Sequence, residues 1–247
     1  MPVFCFVCYN FDLPEVFPAG YGFLCGGVLL LRIVRGKKIE GGGLDLREMA
    51  SGYSSVIVDL GTGDGRFVYK MAREQPGNLF IGVDSAAENM MEYSAKAIKK
   101  AARGGAANAV YVVASAEDLP AEMSGIADKI FVILPWGSLL EGIIKGSKEI
   151  LGGIARAARP GADLELFFTY SHLHEEGEIG RRELPGLSLE YIESTMTPLY
   201  RDLGIALGQK EIITNEELRK YETHWARKLG FGKNRDVFHV KGIIAGQ

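Results

Sequence analysis

Short apolar runs alternate along the chain with longer stretches in which apolar positions recur at helical spacing. The first kind predicts strands and the second helices. Strands are expected at 55–60, 79–84, 109–114 and 128–134, and helices at 64–75 and 86–102. A helix from Ser138 to Ala158 is expected to stop at Pro160–Gly161, followed by a strand from Asp163 to Tyr170. Helix 188–202, an extended stretch 205–213, a helix capped by Thr214–Asn215 that reaches Leu229, and a last strand Val237–Ile244 complete the series. Upstream, VLLLRIV, Arg35–Gly36 and KKIE read as a hairpin, and Asp45–Ala50 as a short helix. Such alternation implies a mostly parallel sheet with helices on both faces.

Composition adds boundaries. With 247 residues, 47% of them hydrophobic and 10% aromatic, the chain is long enough for one sizeable α/β domain with a packed core. Residues 1–27 are rich in Phe, Gly, Pro and Cys, and no Lys or Arg precedes Arg32. Asp12, Glu15, Pro14 and Pro18 interrupt any signal-peptide pattern, and Phe23–Leu31 is too short to span a membrane. We read 1–27 as a poorly structured extension and 28–247 as a single domain, with hairpin and short helix in 28–50. The polar stretch SHLHEEGEIGRRELPG, within about 170–190, is too long and too charged for a simple connection and reads as a function-bearing insertion. All three cysteines, Cys5, Cys8 and Cys25, lie near the amino terminus, which disfavours a disulfide framework and favours the cytoplasm. The Cys5–Cys8 pair has no second ligand pair, and the four histidines lie beyond residue 170, so no metal is expected.

The sharpest chemical signal is VIVDLGTGDGR at 56–66. A strand enters a turn with Gly61, Gly63 and Gly65 on alternate positions, as required where backbone lies against a nucleoside cofactor. Dinucleotide folds use GxGxxG against a pyrophosphate. Here Asp59 and Asp64 bracket a GxGxG turn, and those acids repel a pyrophosphate but attract the sulfonium and ammonium of S-adenosylmethionine. Asp84 closes the next strand, FIGVD, where nucleoside folds place a carboxylate for the ribose hydroxyls. Ser115–Ala116–Glu117–Asp118 follows VYVVA and is placed to cover the adenine ring.

Two further features point to the substrate. Trp136 sits between Pro135 and Gly137 at the carboxyl end of a strand, where ligands bind in open α/β sheets, whereas Trp225, on ELRKYETHWARKL, reads by itself as a packing residue. Lys96, Lys99, Lys100 and Arg103 fall at i, i+3, i+4 and i+7, one stripe if helical, with only Glu92 placed to neutralise any of them. Arg181–Arg182 and the group Arg227, Lys228, Lys233 and Arg235 add two more clusters. Three basic patches on a chain of net charge −3 suggest a phosphate-binding face.

The segments VDLGTGDGRFVYKMA, LPWGSLLE and HWARKLGFGKNR resemble those of the aminoglycoside-resistance methyltransferases that modify N1 of adenine 1408 in the 16S ribosomal RNA decoding site. The likeness runs from about Val28 to Gly242. It implies a Rossmann-like class I methyltransferase fold, with a mostly parallel seven-stranded sheet. It places Asp59, Gly61, Asp84, Ala116, Glu117 and Ser138 around S-adenosylmethionine, beside the Gly63 and Asp64 of the turn. It implies that Trp136 and Trp225 sandwich a flipped adenine. Lys96, Lys99, Lys100, Arg103, Arg181, Arg182 and Arg235 would hold RNA of the 30S subunit at helix 44, assisted by Lys228 and Lys233. Family members often carry arginine at those last two positions, so a bidentate phosphate contact becomes a point-charge one. A monomer is expected. Other readings of the residues are a transfer-RNA guanine-N7 methyltransferase, a small-molecule methyltransferase, or a catalytically silent binding module.

Overall fold

The computed structural model describes residues 24–25, 28–29, 31–170, 177, 179–218, 221 and 236–245. Strand β1 (Arg32–Arg35) turns at Gly36 into β2 (Lys38–Gly41), and Leu24–Cys25 pairs separately with Val28–Leu29. Helix α1 (Leu46–Ser51) starts at Asp45, whose carboxylate accepts from the backbone N–H groups of Arg47 and Glu48. The alternating series follows: β3 (Ser55–Leu60), α2 (Arg66–Glu74), β4 (Asn78–Asp84), α3 (Ala87–Ala97), β5 (Ala109–Val113) and β6 (Ala127–Ile133). Then come α4 (Gly137–Lys145), α5 (Lys148–Ala157), β7 (Ala158–Phe168), β8 (Ile205–Ile213) and β9 (Val237–Ile244).

Among the described residues these strands form one nine-stranded sheet in the order β8-β9-β7-β6-β3-β4-β5-β1-β2. Strands β5-β4-β3-β6-β7 are parallel; β9 pairs antiparallel with β7, and β8, antiparallel to β9, again runs in the direction of the core. The expected seven-stranded core is therefore present, and the hairpin extends it at one edge through Ile33 opposite Val112. Strand β3 is buried on both faces because helices cover both, the mark of a parallel strand in an α/β sheet. The strand order reverses between β4-β3 and β3-β6, and a crevice opens at the carboxyl ends there. No described helix is long and apolar enough to cross a membrane.

Three expected elements differ. Helix α3 ends at Ala97, not near 102, because the chain folds back: Arg103 N and Gly105 N both donate to Lys100 O, at 2.7 and 3.1 Å, and Ala106 N donates to Ala97 O. The expected helix 138–158 is two helices, since the chain turns at Gly146 and Ser147 caps α5 by accepting from Ile150 N. Strand β7 begins before Pro160; a register shift between Ala127 and Lys129 on β6 absorbs the proline where no ladder hydrogen bond is needed. The helical stretch Leu189–Tyr191, a π-turn at Ile192–Met196 and Thr197–Arg201 together match the expected helix 188–202. Thr214 and Glu217 form the expected cap, each bonding to the other's backbone or side chain, over the short helix Asn215–Leu218.

A polar cluster lies on one face of the sheet. His239 bridges Glu165 (3.0 Å) and Glu211 (3.1 Å), stacks on Phe167 at 4.1 Å, and Lys129 pairs with Glu165 from the neighbouring strand. Burial by itself raises the Glu165 carboxyl, but hydrogen bonds from His239 and Lys129 and their charges outweigh it and hold the group at about 2.

Candidate functional site

The crevice has a volume of about 300 Å³ and is lined from four strand ends. Leu60, Gly61 and Gly63 come from β3 and its turn, Val83, Asp84 and Ser85 from β4, Ala114–Glu117 from β5, and Pro135–Leu139 from β6 and α4. Gly61, Gly63 and Gly65 all take positive φ, +77°, +59° and +75°, which an L side chain adopts only under strain. Gly61 N and Thr62 N donate to Val83 O, so the turn is bound to the adjacent strand.

Asp84 holds this turn in shape. One carboxylate oxygen accepts from Gly63 N and the other from Ala86 N, each at 2.9 Å. Burial raises its pKa and those two bonds offset part of the rise. Its carboxylate faces the cleft with lone pairs remaining for hydroxyl donors.

Asp59 is placed differently from the expectation that it lines the cleft. It lies under the turn, 1% exposed, where Thr62 Oγ1 donates to one carboxylate oxygen at 2.6 Å. The other oxygen is buried with no hydrogen-bond partner among the described residues. Burial pushes its pKa up to about 7; the Thr62 bond opposes this, and Asp84 and Asp64 add to it. An unsatisfied buried carboxylate oxygen beside a nucleoside-sized cleft fits a cationic ligand group. Asp64 is also outside the lining, and its carboxylate accepts from Arg66 N at the start of α2.

Ala116, Glu117 and Ser138 do line the cleft. Residue Gly153 of α5, which carried no signal in the chain pattern, brings the Ala116 loop into place: a Cβ there would lie 2.4 Å from Ala116 O. Thr62 likewise carries no signal in the chain pattern, since its bond to Asp59 exists only once the turn has folded.

Trp136 stands at the rim, 48% exposed, on a strained turn. Leu134 takes φ +51°, one of two non-glycine residues with positive φ among those described, and Leu134 N donates to Phe167 O at 2.8 Å. The turn throws Trp136 outward at the amino end of α4. The far end of that helix is fastened by Tyr200 and Tyr191, whose hydroxyls donate to Ile143 O and Ile144 O. On its other side Trp136 shares a notch with Tyr170, Leu184 and Arg182. Arg182 donates to Glu141 Oε2 on α4 at 2.8 Å, so this cation is anchored beside the indole, while Arg181 is exposed.

The single basic stripe expected for Lys96, Lys99, Lys100 and Arg103 is not formed, because α3 stops at Ala97. Lys96 stays on the helix, paired with Glu92 at 2.6 Å and lying 4.1 Å from the Tyr93 ring centre. Lys99, Lys100 and Arg103 are exposed on the fold-back that follows. Trp225, Lys228, Lys233 and Arg235, the helix expected to reach Leu229, and the Cys5–Cys8 pair lie outside the described residues.

Comparison with known proteins places the chain in a family. The model of the NpmA family, 16S rRNA (adenine(1408)-N(1))-methyltransferase, matches residues 32–244. This chain belongs to that family. An Escherichia coli family member is 39% identical over 202 residues, covering 81% of this chain and 92% of the relative. A tryptophan-to-alanine mutant of the 16S rRNA (adenine(1408)-N(1))-methyltransferase from Catenulisporales acidiphilia, solved with its cosubstrate SAM, superposes with a TM-score of 0.79. It is 34% identical and covers 88% of this chain and 97% of its own. The aminoglycoside resistance methyltransferase NpmB1 superposes with a TM-score of 0.74 at 32% identity, covering 87% of this chain and all of its own. Family membership assigns the fold to the Rossmann-like methyltransferases and the chain to the enzymes that methylate 16S ribosomal RNA.

Proposed function

We propose that this chain methylates N1 of adenine 1408 in helix 44 of the 30S subunit by everting the base onto Trp136, and that the product confers aminoglycoside resistance. When bound, S-adenosylmethionine supplies the electrophilic methyl carbon. Asp84 receives the ribose hydroxyls, the Ala116–Glu117 loop covers the adenine, and Asp59, buried beneath the turn that lines this cleft, supplies a charge that favours the ammonium. The observation that carries the reading is the exposed indole of Trp136 on a strained turn, at the rim of the same cleft that Asp84 and Ala116 line.

The chemistry follows from the target atom. N1 of neutral adenine has a lone pair and no proton, so the protein need supply no general base. Its task is position, because a stacked or paired N1 is out of reach. An indole face compensates lost stacking by about 1–3 kcal/mol and favours the cationic ring that forms. Trp225, from the carboxyl-terminal basic segment, is the second face in this reading. Arg182, held beside Trp136 by Glu141, is positioned for a phosphate flanking the everted nucleotide.

Purified 30S subunits incubated with labelled cofactor, followed by mapping of the modified nucleotide, test the proposal. A fourteen-dalton gain at adenine 1408 is expected, and modification at guanine N7 or of transfer RNA overturns it. Replacing Trp136 with Ala is expected to lower methylation about 5- to 150-fold, the loss of one stacking contact, with cofactor affinity near wild type by calorimetry. Loss of cofactor binding instead overturns the stacking role and gives Trp136 the task of holding the cofactor.

A further inference from the structure

We propose that the tip of the β1–β2 hairpin, through Arg35, Lys37 and Lys38, is part of the face that docks on ribosomal RNA, fastened there by Ser94. This rests on the RNA-substrate reading above. Ser94 of α3 is 1% exposed and holds the hairpin with both hydrogen-bonding functions of its hydroxyl. It accepts from Gly36 N at 2.9 Å and donates to Val34 O at 2.7 Å. A Cβ at Gly36 would come within 3.1 Å of Ile98 Cδ1, so the turn presses on the residue that caps α3.

Through this joint the hairpin tip meets the fold-back that carries Lys99 and Lys100. Arg35 and Lys99 line one groove of about 320 Å³, whose walls are largely apolar. Arg35 and Lys38 stand directly opposite each other on the paired strands, an arrangement of like charges that weakens the pairing. Arg35 lies 3.9 Å from Glu40, a loose and exposed contact, while Lys37, Lys38, Lys99, Lys100 and Arg103 make no ion pair among the described residues. Their charges are spread and exposed rather than convergent in a pocket. Such a surface fits successive phosphates of a nucleic-acid backbone better than one small anion. On a chain of net charge −3 it also orients approach to a polyanion.

The test compares the full chain with the double variant Lys37→Glu/Lys38→Glu, with Ser94→Ala, and with Lys241→Glu on β9 toward the opposite edge of the sheet. Binding to 30S subunits is measured across a salt series, beside cofactor affinity by calorimetry and mapping of the methylated nucleotide by the wild type. The double variant is expected to bind about tenfold more weakly near 0.1 M salt. Its slope of log affinity against log salt should be flatter by about 1–2, with cofactor affinity unchanged. Ser94→Ala keeps every charge but releases the tip. It should weaken 30S binding by a few fold and shrink the further effect of Lys37→Glu/Lys38→Glu in the same chain. Lys241→Glu should match wild type. A double variant with wild-type affinity and slope, or a Lys241→Glu loss as large as its own, overturns the inference. A wild type that leaves adenine 1408 unmodified overturns the substrate reading itself, which separates the two failures.

Discussion

Two buried carboxylates in this molecule have opposite characters. Glu165, inside the sheet, is surrounded by Lys129 and His239 and is held at about 2. Asp59, under the glycine turn, has one hydroxyl partner, two acidic neighbours and no cationic partner among the described residues, and is pushed up to about 7. Both lie largely out of water, Asp59 more completely, and burial by itself raises both, so the opposite directions of their shifts need a further cause. The partners differ: one carboxylate is complete within the fold, and the other keeps a buried oxygen with no partner among the described residues. Such a group costs the unliganded protein stability, which is a reason to expect it at a binding site.

The strongest test of the contrast is Glu165→Ala. It leaves Lys129 and His239 facing a buried gap without their carboxylate, and about 3–5 kcal/mol of stability should be lost. For a chain of this size that lowers Tm by roughly 6–20 °C, with cofactor affinity unchanged by calorimetry. A variant that melts normally but binds cofactor poorly would reverse the roles given to the two acids.

Asp59→Asn should do the opposite. The amide keeps an oxygen for Thr62 but loses the charge, so cofactor affinity at pH 8 should fall about tenfold or more, while Tm holds or rises. In the wild type, affinity should fall about tenfold per pH unit below 7, as the proton on Asp59 competes with the cationic ligand, and Asp59→Asn should flatten that profile. A pH profile of the wild type that is already flat would show that the Asp59 charge does not favour the ammonium.

The stability profile of the unliganded protein carries both signs. A raised pKa favours the protonated folded state, so the Asp59 contribution is fully present below about 4 and is lost as pH rises through 7. A lowered pKa acts the other way: the Glu165 contribution is present above about 4.5 and is lost as pH falls towards 2. Denaturant midpoints measured across that range should therefore peak between the two transitions. The smallest expected effect is at Glu141, which orients a cation without facing the cofactor. Glu141→Gln should lower the methylation rate on 30S subunits about threefold at unchanged cofactor affinity, and an equal loss in an Arg182→Ala background would break the link between them.

Much of this was legible because it depends on local pattern. The strand at 55–60, the following glycine turn, Asp84 at a strand end and the β9 strand at Val237–Ile244 all lie where the apolar rhythm puts them. Trp136 was legible because a proline and a glycine flank it at a strand end. The end of α3 was not, since its residues continue a helical pattern and only the fold-back contacts at Ala97 and Lys100 stop it. Nor was the burial of Asp59, which reads like any acid beside a turn.

The residue order alone determined the strand-helix alternation, the GxGxG turn with its acids, and an exposed tryptophan at a strand end, because each rests on neighbours in the chain. The fold decided which acid stays without a cationic partner among the described residues, where the lysines leave their helix, and that Ser94 pins a basic hairpin beside them. Those outcomes depend on groups up to tens of residues apart in the chain, whose proximity and solvent exclusion exist only once the sheet has closed over its core.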